Sequence, residues 1–474
     1  MASDLSRRHF LAGSTSLLGA TSALGSFAAH KAQAANTTGY KAIVCLFLFG
    51  GLDHADTVIP TDEASFNQLA AARPNIFDGY DVGSGTSSRD RDNLLALNPD
   101  NASAFGTRQF GLPREMMGLH QLFEAGDAAI VGNVGPLLEP ITRETFQDRS
   151  GRRPPRLFSH NDQQSTWLAL EAEGANIGWG GRFADAILAA DTISNPLYSA
   201  VGISSSSVFL SGETARQFRP PEKSTGDGVN IIDESKILGT NSRYDVTRDA
   251  FGNIIRQTDF NHNNIMRADY SVLSGQAIAN AKQFNEALEL SQPILTPFPS
   301  TRLGNNLRRI AEIIDTRTTL NTSRQVFFLS LGGFDTHSRQ TAVLPALQQH
   351  ISDALLAFRN AMIEIGAWQN VAVFTGSDFG RTLTGNGDGT DHGWCGHHFV
   401  MGCDVVGIRI FGDIPPPDRD HEQYTPSRGR LIPSVSVEQY AATIGKWFGL
   451  SPAELAVALP NLSEFSTSDL GFLG

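Results

Sequence analysis

The chain has 474 residues, of which 49 are acidic and 37 basic, for a net charge of −12. A surface that acidic excludes nucleic acid and anionic membrane as partners. No stretch of the mature chain is long and apolar enough to span a bilayer.

In chain order, Ser6-Arg7-Arg8-His9-Phe10-Leu11 comes first and is a twin-arginine pattern. A Gly-, Ala- and Ser-rich apolar run follows through Ala29, and Ala32-Gln33-Ala34 offers an A-x-A cleavage site. Together these read as a removable export signal over residues 1–34, not a transmembrane helix. The expected location is therefore periplasmic or secreted, with the twin-arginine export machinery as a partner. Cleavage removes three basic and one acidic side chain and takes the net charge to −14. Residues 35–474 contain no linker of the kind that separates domains and read as one α/β domain with insertions.

Lys41 to Phe49 is a continuous apolar run, the pattern of a strand buried on both faces of a parallel sheet. It ends in Gly50-Gly51-Leu52-Asp53, a carboxylate just beyond a strand terminus. A short helix is predicted over 62–73. Residues 74–112 lack periodicity and read as a long surface insertion. A helix over 113–124 and a buried strand over 128–134 come next. After an arginine-rich segment, Phe158-Ser159-His160-Asn161-Asp162 opens a helix. Ser159 with Asp162 three residues on is a capping-box pattern, so Ser159 is either an N-cap or a group placed at the positive end of a helix.

Strands are expected near 198–203 and 207–210, then a second insertion over 211–265 and helices over 268–292 and 304–318. Gln325 to Leu331 is another buried strand, running into Gly332-Gly333-Phe334-Asp335-Thr336-His337. The helix after it has Leu344, Leu347, Ile351, Leu355, Phe358 and Met362 on one face. It leads to the apolar run Val371 to Phe374, which makes a right-handed βαβ unit. That run stops at Thr375-Gly376-Ser377-Asp378, and a glycine-rich loop carries Asp391 and His392. Strands near 398–401 and 407–411 and two closing helices complete the chain. Cys45 reads as a buried small hydrophobe. Cys395 and Cys403 could pair in an oxidising compartment, and the spacing leaves that open.

Three apolar strands thus end in Asp53, in Asp335 with His337, and in Asp378, with His392 on the following loop. In open α/β sheets the carboxyl ends of the strands are where ligands bind. Carboxylate with imidazole is a ligand set suited to zinc, manganese or iron. The alternative for each Asp is a turn residue that satisfies backbone N–H groups. Arg381, just after the Asp378 turn, is either a guanidinium that neutralises substrate oxygens or a salt bridge that braces the loop.

The segments GGLDHADTVIP, FSHNDQQSTW, GGFDTH and SDFGRT with GTDHGW resemble the signature segments of the DUF1501 proteins, which are exported and often bear twin-arginine signals. That family is similar in turn to the alkaline phosphatase and sulfatase superfamily. The resemblance implies an alkaline-phosphatase-like α/β fold, a mostly parallel sheet with helices on both faces and long loop insertions. It implies a metal-dependent hydrolase acting on phosphate or sulfate esters, with a small anionic ester as ligand. Carried over by position, Asp53, Asp335, His337, Asp378 and His392 would be metal ligands and Ser159 the nucleophile, with Arg381 at the substrate. The chain departs from that pattern in three places. Phe379 stands where His or Asn usually neighbours the Asp, Asp335 and His337 are one residue apart instead of three, and Ser159 lies well beyond the second strand. One tight zinc or manganese ion is therefore expected, with Asp391 or His160 as substitutes should a second ion bind. The competing reading is a non-catalytic secreted protein that retains the fold.

Overall fold

Strand β1, Lys41–Phe49, is apolar throughout because both of its faces are covered. Ala42, Val44, Leu46 and Leu48 enter one core, and Ile43, Cys45 and Phe47 enter another. Helices Met117–Glu124, Arg302–Asp315 and Gln340–Glu364 close the first core. Helices His160–Ala169, Trp179–Ala190 and Val437–Phe448 close the second. Each large apolar side chain fully buried this way contributes about 1.5–3 kcal/mol.

The computed structural model describes residues 34–80, 88–203, 206–220 and 265–474. The twin-arginine segment and most of the expected 211–265 insertion lie outside the described residues. The remaining strands are β2 (Ile59–Pro60), β3 (Leu95–Ala96), β4 (Phe110–Leu112), β5 (Ala128–Gly135), β6 (Ala200–Gly202) and β7 (Arg324–Gly332). After these come β8 (Val371–Ser377), β9 (Arg381–Gly385), β10 (Thr390–His392), β11 (Gly396–Gly402), β12 (Ile410–Gly412) and β13 (Val435–Ser436). The main sheet runs β12-β5-β11-β8-β1-β7-β6, with β13 beside β5. Only β11 runs antiparallel to its neighbours in it, so the mostly parallel α/β class read from the sequence holds.

Register is what positions the site. Leu48 of β1 pairs with Leu331 of β7 and Ser377 of β8, and Phe49 pairs with Gly332. Three strands therefore end level, and the turns after them crowd one edge. Gly50, at φ +114°, turns the chain where a Cβ would lie 2.3 Å from the Asp335 backbone nitrogen. No other residue fits that approach.

Several expectations change. The glycine-rich loop after Asp378 is a hairpin, β9 against β10, with His392 opposite Arg381. Its glycines close the turn: Asn386 N–H donates to Gly389 O at 2.9 Å, and Gly387 has φ +122°. Val208–Leu210 form a turn of 3-10 helix, not a strand, with Ser207 as its N-cap, its hydroxyl accepting from Phe209 N–H. The described part of 74–112 is not featureless. Its β3 and β4 pair, β4 pairs with β2, and Leu97, Phe105, Phe110 and Leu112 enter the first core. Strands of two or three residues are too short to show a period. All three cysteines are free, and the single S–H of buried Cys395 has Asn133 Oδ1 and Leu431 O within reach as acceptors.

One buried acid makes stability depend on pH. Glu438 is 2% exposed, its Oε1 accepts from Asn461 at 2.7 Å, and its Oε2 has no hydrogen-bond partner among the described residues. Burial pushes its carboxyl up to about 7. The folded state thus prefers the protonated acid, a stabilisation complete below the unfolded value and lost as pH rises through 7. Urea unfolding should show the mature chain losing on the order of 2 kcal/mol from this group between pH 5 and pH 8. Glu438→Gln should remove that part of the slope.

Candidate metal centre

Asp335 leaves β7 through Gly333 and is the hub of a cluster. Its Oδ1 lies 2.7 Å from Arg381 Nη1 and 3.1 Å from the Nε2 atoms of both His337 and His392. Its Oδ2 lies 3.5 Å from His160 Nε2. The Nε2 atoms of His337 and His392 are 2.9 Å apart. His160 is the first residue of helix His160–Ala169, and Ser159 is its N-cap.

Each imidazole is held from behind by an oxygen. His160 Nδ1 is 2.7 Å from Asp378 Oδ2, His392 Nδ1 is 2.7 Å from the Phe158 carbonyl, and His337 Nδ1 is 3.3 Å from Asp391 Oδ1. An oxygen acceptor fixes the ring proton at Nδ1 and leaves the lone pair at Nε2. Three lone pairs and a carboxylate then face one another, an arrangement that repels unless a cation is shared. Neighbouring donors about 2.1 Å from one ion sit roughly 3.0–3.4 Å apart. The His337, His392 and Asp335 atoms, at 2.9–3.1 Å, are close to that spacing. The ligand atoms of His160, Asp335 and His392 lie within 4.8 Å of one another and fit a borderline divalent ion, with His337 against Asp335 and His392 at its edge.

For two of the three rings the local field agrees with this. Burial raises the Asp335 carboxyl, but the Arg381 hydrogen bond and charge outweigh it and hold the group below the usual range. Burial, and after it the Arg381 charge, lowers His337 and His392 and favours their neutral rings. The hydrogen bond to Asp378 raises His160.

The other site residues predicted from sequence take different places. Asp53 is buried in an ion pair with Arg73, at 2.9 and 3.1 Å, and also accepts from Gln340. Both of its oxygens are occupied away from the histidines. Asp378 stands behind His160 and is fully buried, and its Oδ1 has no partner among the described residues. Arg381 is fully buried with four hydrogen bonds, to Gly50 O, Asp335 Oδ1 and the hydroxyl and carbonyl of Thr390. That leaves almost nothing of its five N–H groups for a substrate. The Ser159 hydroxyl donates to Asp162 Oδ2 at 2.8 Å and does not cap the helix backbone. Phe379 is buried between two ligand rings, stacked on His392 at 4.4 Å and tilted against His160 at 4.8 Å. Gly51, at φ +94°, makes room for it, since a Cβ there would lie 2.5 Å from the Phe379 ring.

Arg73, Arg89 and Gln340 carry the layer beneath and have no sequence signal. Arg89 pairs with Asp56 at 2.7 Å, and Gln340 bridges Asp53 and Asp56 at 2.7 and 3.0 Å.

The model of a family described as "Protein of unknown function (DUF1501)" matches residues 40–461. The chain belongs to the DUF1501 family. No curated protein matches it. Solved structures similar to this family member include Ps i-CgsB in complex with k-i-k-neocarrahexaose, at 10% identity and a TM-score of 0.34, covering 91% of this chain and 75% of that one. PsFucS1 sulfatase from Pseudoalteromonas sp. is similar at 7% identity and a TM-score of 0.30, covering 78% and 64%. The lipoteichoic acid synthase LtaP from Listeria monocytogenes is similar at 6% and 0.27, covering 91% and 74%. At these values no chemistry passes from those proteins to this chain.

Two substitutions separate the roles of the acids. Asp378→Asn should weaken metal binding about 10–100-fold by loosening His160. Asp53→Asn should leave metal content unchanged but cost about 3–5 kcal/mol in urea unfolding, because Arg73 is left buried and unpaired.

Proposed function

We propose that this DUF1501 protein is an exported, metal-dependent hydrolase-like protein acting on a small phosphate or sulfate ester. One zinc or manganese ion is held by His160, Asp335, His337 and His392. The observation that carries the reading is the convergence of three imidazole Nε2 atoms on Asp335, each ring held at Nδ1 by an oxygen. A bound ion there supplies a Lewis acid for an ester oxygen.

The chain's own groups do the positioning. Arg381 fixes the Asp335 carboxylate, Asp378 and the Phe158 carbonyl fix the rings of His160 and His392, and Phe379 keeps water from the inner side of both. Ser159 heads the helix that delivers His160, and Asp162 accepts its hydroxyl proton, so a Ser159 nucleophile has a base in contact. The rival reading, a secreted binding protein that keeps the fold without catalysis, is favoured by the commitment of Arg381 to protein acceptors. Hydrolysis of p-nitrophenyl phosphate or sulfate by the metal-loaded chain, abolished in Ser159→Ala, separates the two. A loaded protein inert to both esters supports the binding protein.

Metal analysis of the dialysed mature chain should approach about one ion per chain and fall sharply in His337→Ala. Two tightly held ions, or none after reconstitution, would contradict the reading. Export by the twin-arginine route rests on Arg7 and Arg8. Replacing both with Lys should abolish periplasmic protein, and undiminished export would refute that route.

A further inference from the structure

With Arg381 committed to protein acceptors, Arg430 is a guanidinium in direct contact with a residue of the cluster. Its Nε donates to the His392 carbonyl at 2.8 Å, and its Cζ lies 4.1 Å over the Phe158 ring. Phe158 is the residue whose own carbonyl holds the His392 ring, and its backbone is in the left-handed region at φ 74°. Two contacts thus fix the plane of the guanidinium and leave Nη1 and Nη2 without a partner among the described residues. No carboxylate there lies within ion-pair reach of it. The adjacent arginines do not share this state, since Arg428 pairs with Asp391 and Arg156 reaches Glu173 at 3.7 Å. Burial, then the Arg428 charge, lowers the Arg430 pKa, as expected of a half-buried cation whose charged neighbour is another cation. Such a group is stabilised by an anion, and the planar fork suits two oxygens of one oxyanion.

We infer that Arg430 is the oxyanion anchor of this site: its Nη1 and Nη2 take the phosphate, sulfate or carboxylate oxygens of a ligand bound at the His337, His392 and Asp335 cluster. The inference rests on the one-ion reading for the ligand's second contact, but the fork itself does not need the ion.

Isothermal titration with inorganic phosphate, repeated with sulfate and acetate, tests it on the mature chain, zinc-loaded and metal-free. Arg430→Gln should weaken phosphate binding tenfold or more while zinc content stays at the wild-type level. Arg430→Lys keeps the charge, loses the fork and should fall between, and its unfolding midpoint shows that folding is intact. Unchanged phosphate affinity in Arg430→Gln would overturn the inference, as would a zinc-loaded wild type that binds none of the three anions. If wild type holds no zinc, the metal reading fails alone. Phosphate binding that is lost in Arg430→Gln then still upholds the anchor, and no phosphate binding overturns it.

Discussion

The centre depends on a carboxylate held still by a guanidinium that is itself held still. Asp335 sits on an exposed turn and would be free to swing, yet Arg381 grips its Oδ1 from a fully buried position. Arg381 is fixed by Gly50 at the end of β1 and by Thr390 in the hairpin, so three chain segments meet in one side chain. Gln340 continues the lattice downward, accepting from Thr336 and Thr390 and donating to Asp53 and Asp56. A buried polar network of this kind is stable only while every member is satisfied, and that requirement makes the geometry unique. The acids that look alike in sequence therefore do different work: Asp335 faces the histidines, Asp378 orients one of them, and Asp53 and Asp56 neutralise buried arginines.

Much of this was legible in the residues. Continuous apolar runs gave β1, β7 and β8, since burial on both faces suppresses alternation. Glycine-led strand ends then pointed to the turns that carry Asp335, His337 and Asp378. The assignment of Asp53 could not be made from its neighbourhood. Its partner Arg73 is twenty residues away, and nothing about a single arginine at the end of a helix marks it as buried. His160 stood in plain view in the FSHND segment, but whether it or Ser159 faces the cluster depends on the path of a loop. The hairpin β9–β10 was hidden because glycines that close a turn and glycines that loosen a loop have the same composition.

Phe379 gives the centre its asymmetry. An aromatic ring stacked on His392 and tilted on His160 presents hydrocarbon where a further donor would be required for a second ion. The Gly51 backbone approaches so closely that a Cβ there would lie 2.5 Å from the ring.

Anomalous diffraction from crystals of the mature protein loaded with zinc addresses the central claim most directly. The account predicts a single strong peak within about 2.3 Å of His160 Nε2, His337 Nε2, His392 Nε2 and an Asp335 oxygen, with none at Asp53. Two peaks about 3.5–4 Å apart, or one peak bound by Asp53 or Asp378 in place of the histidines, would contradict it.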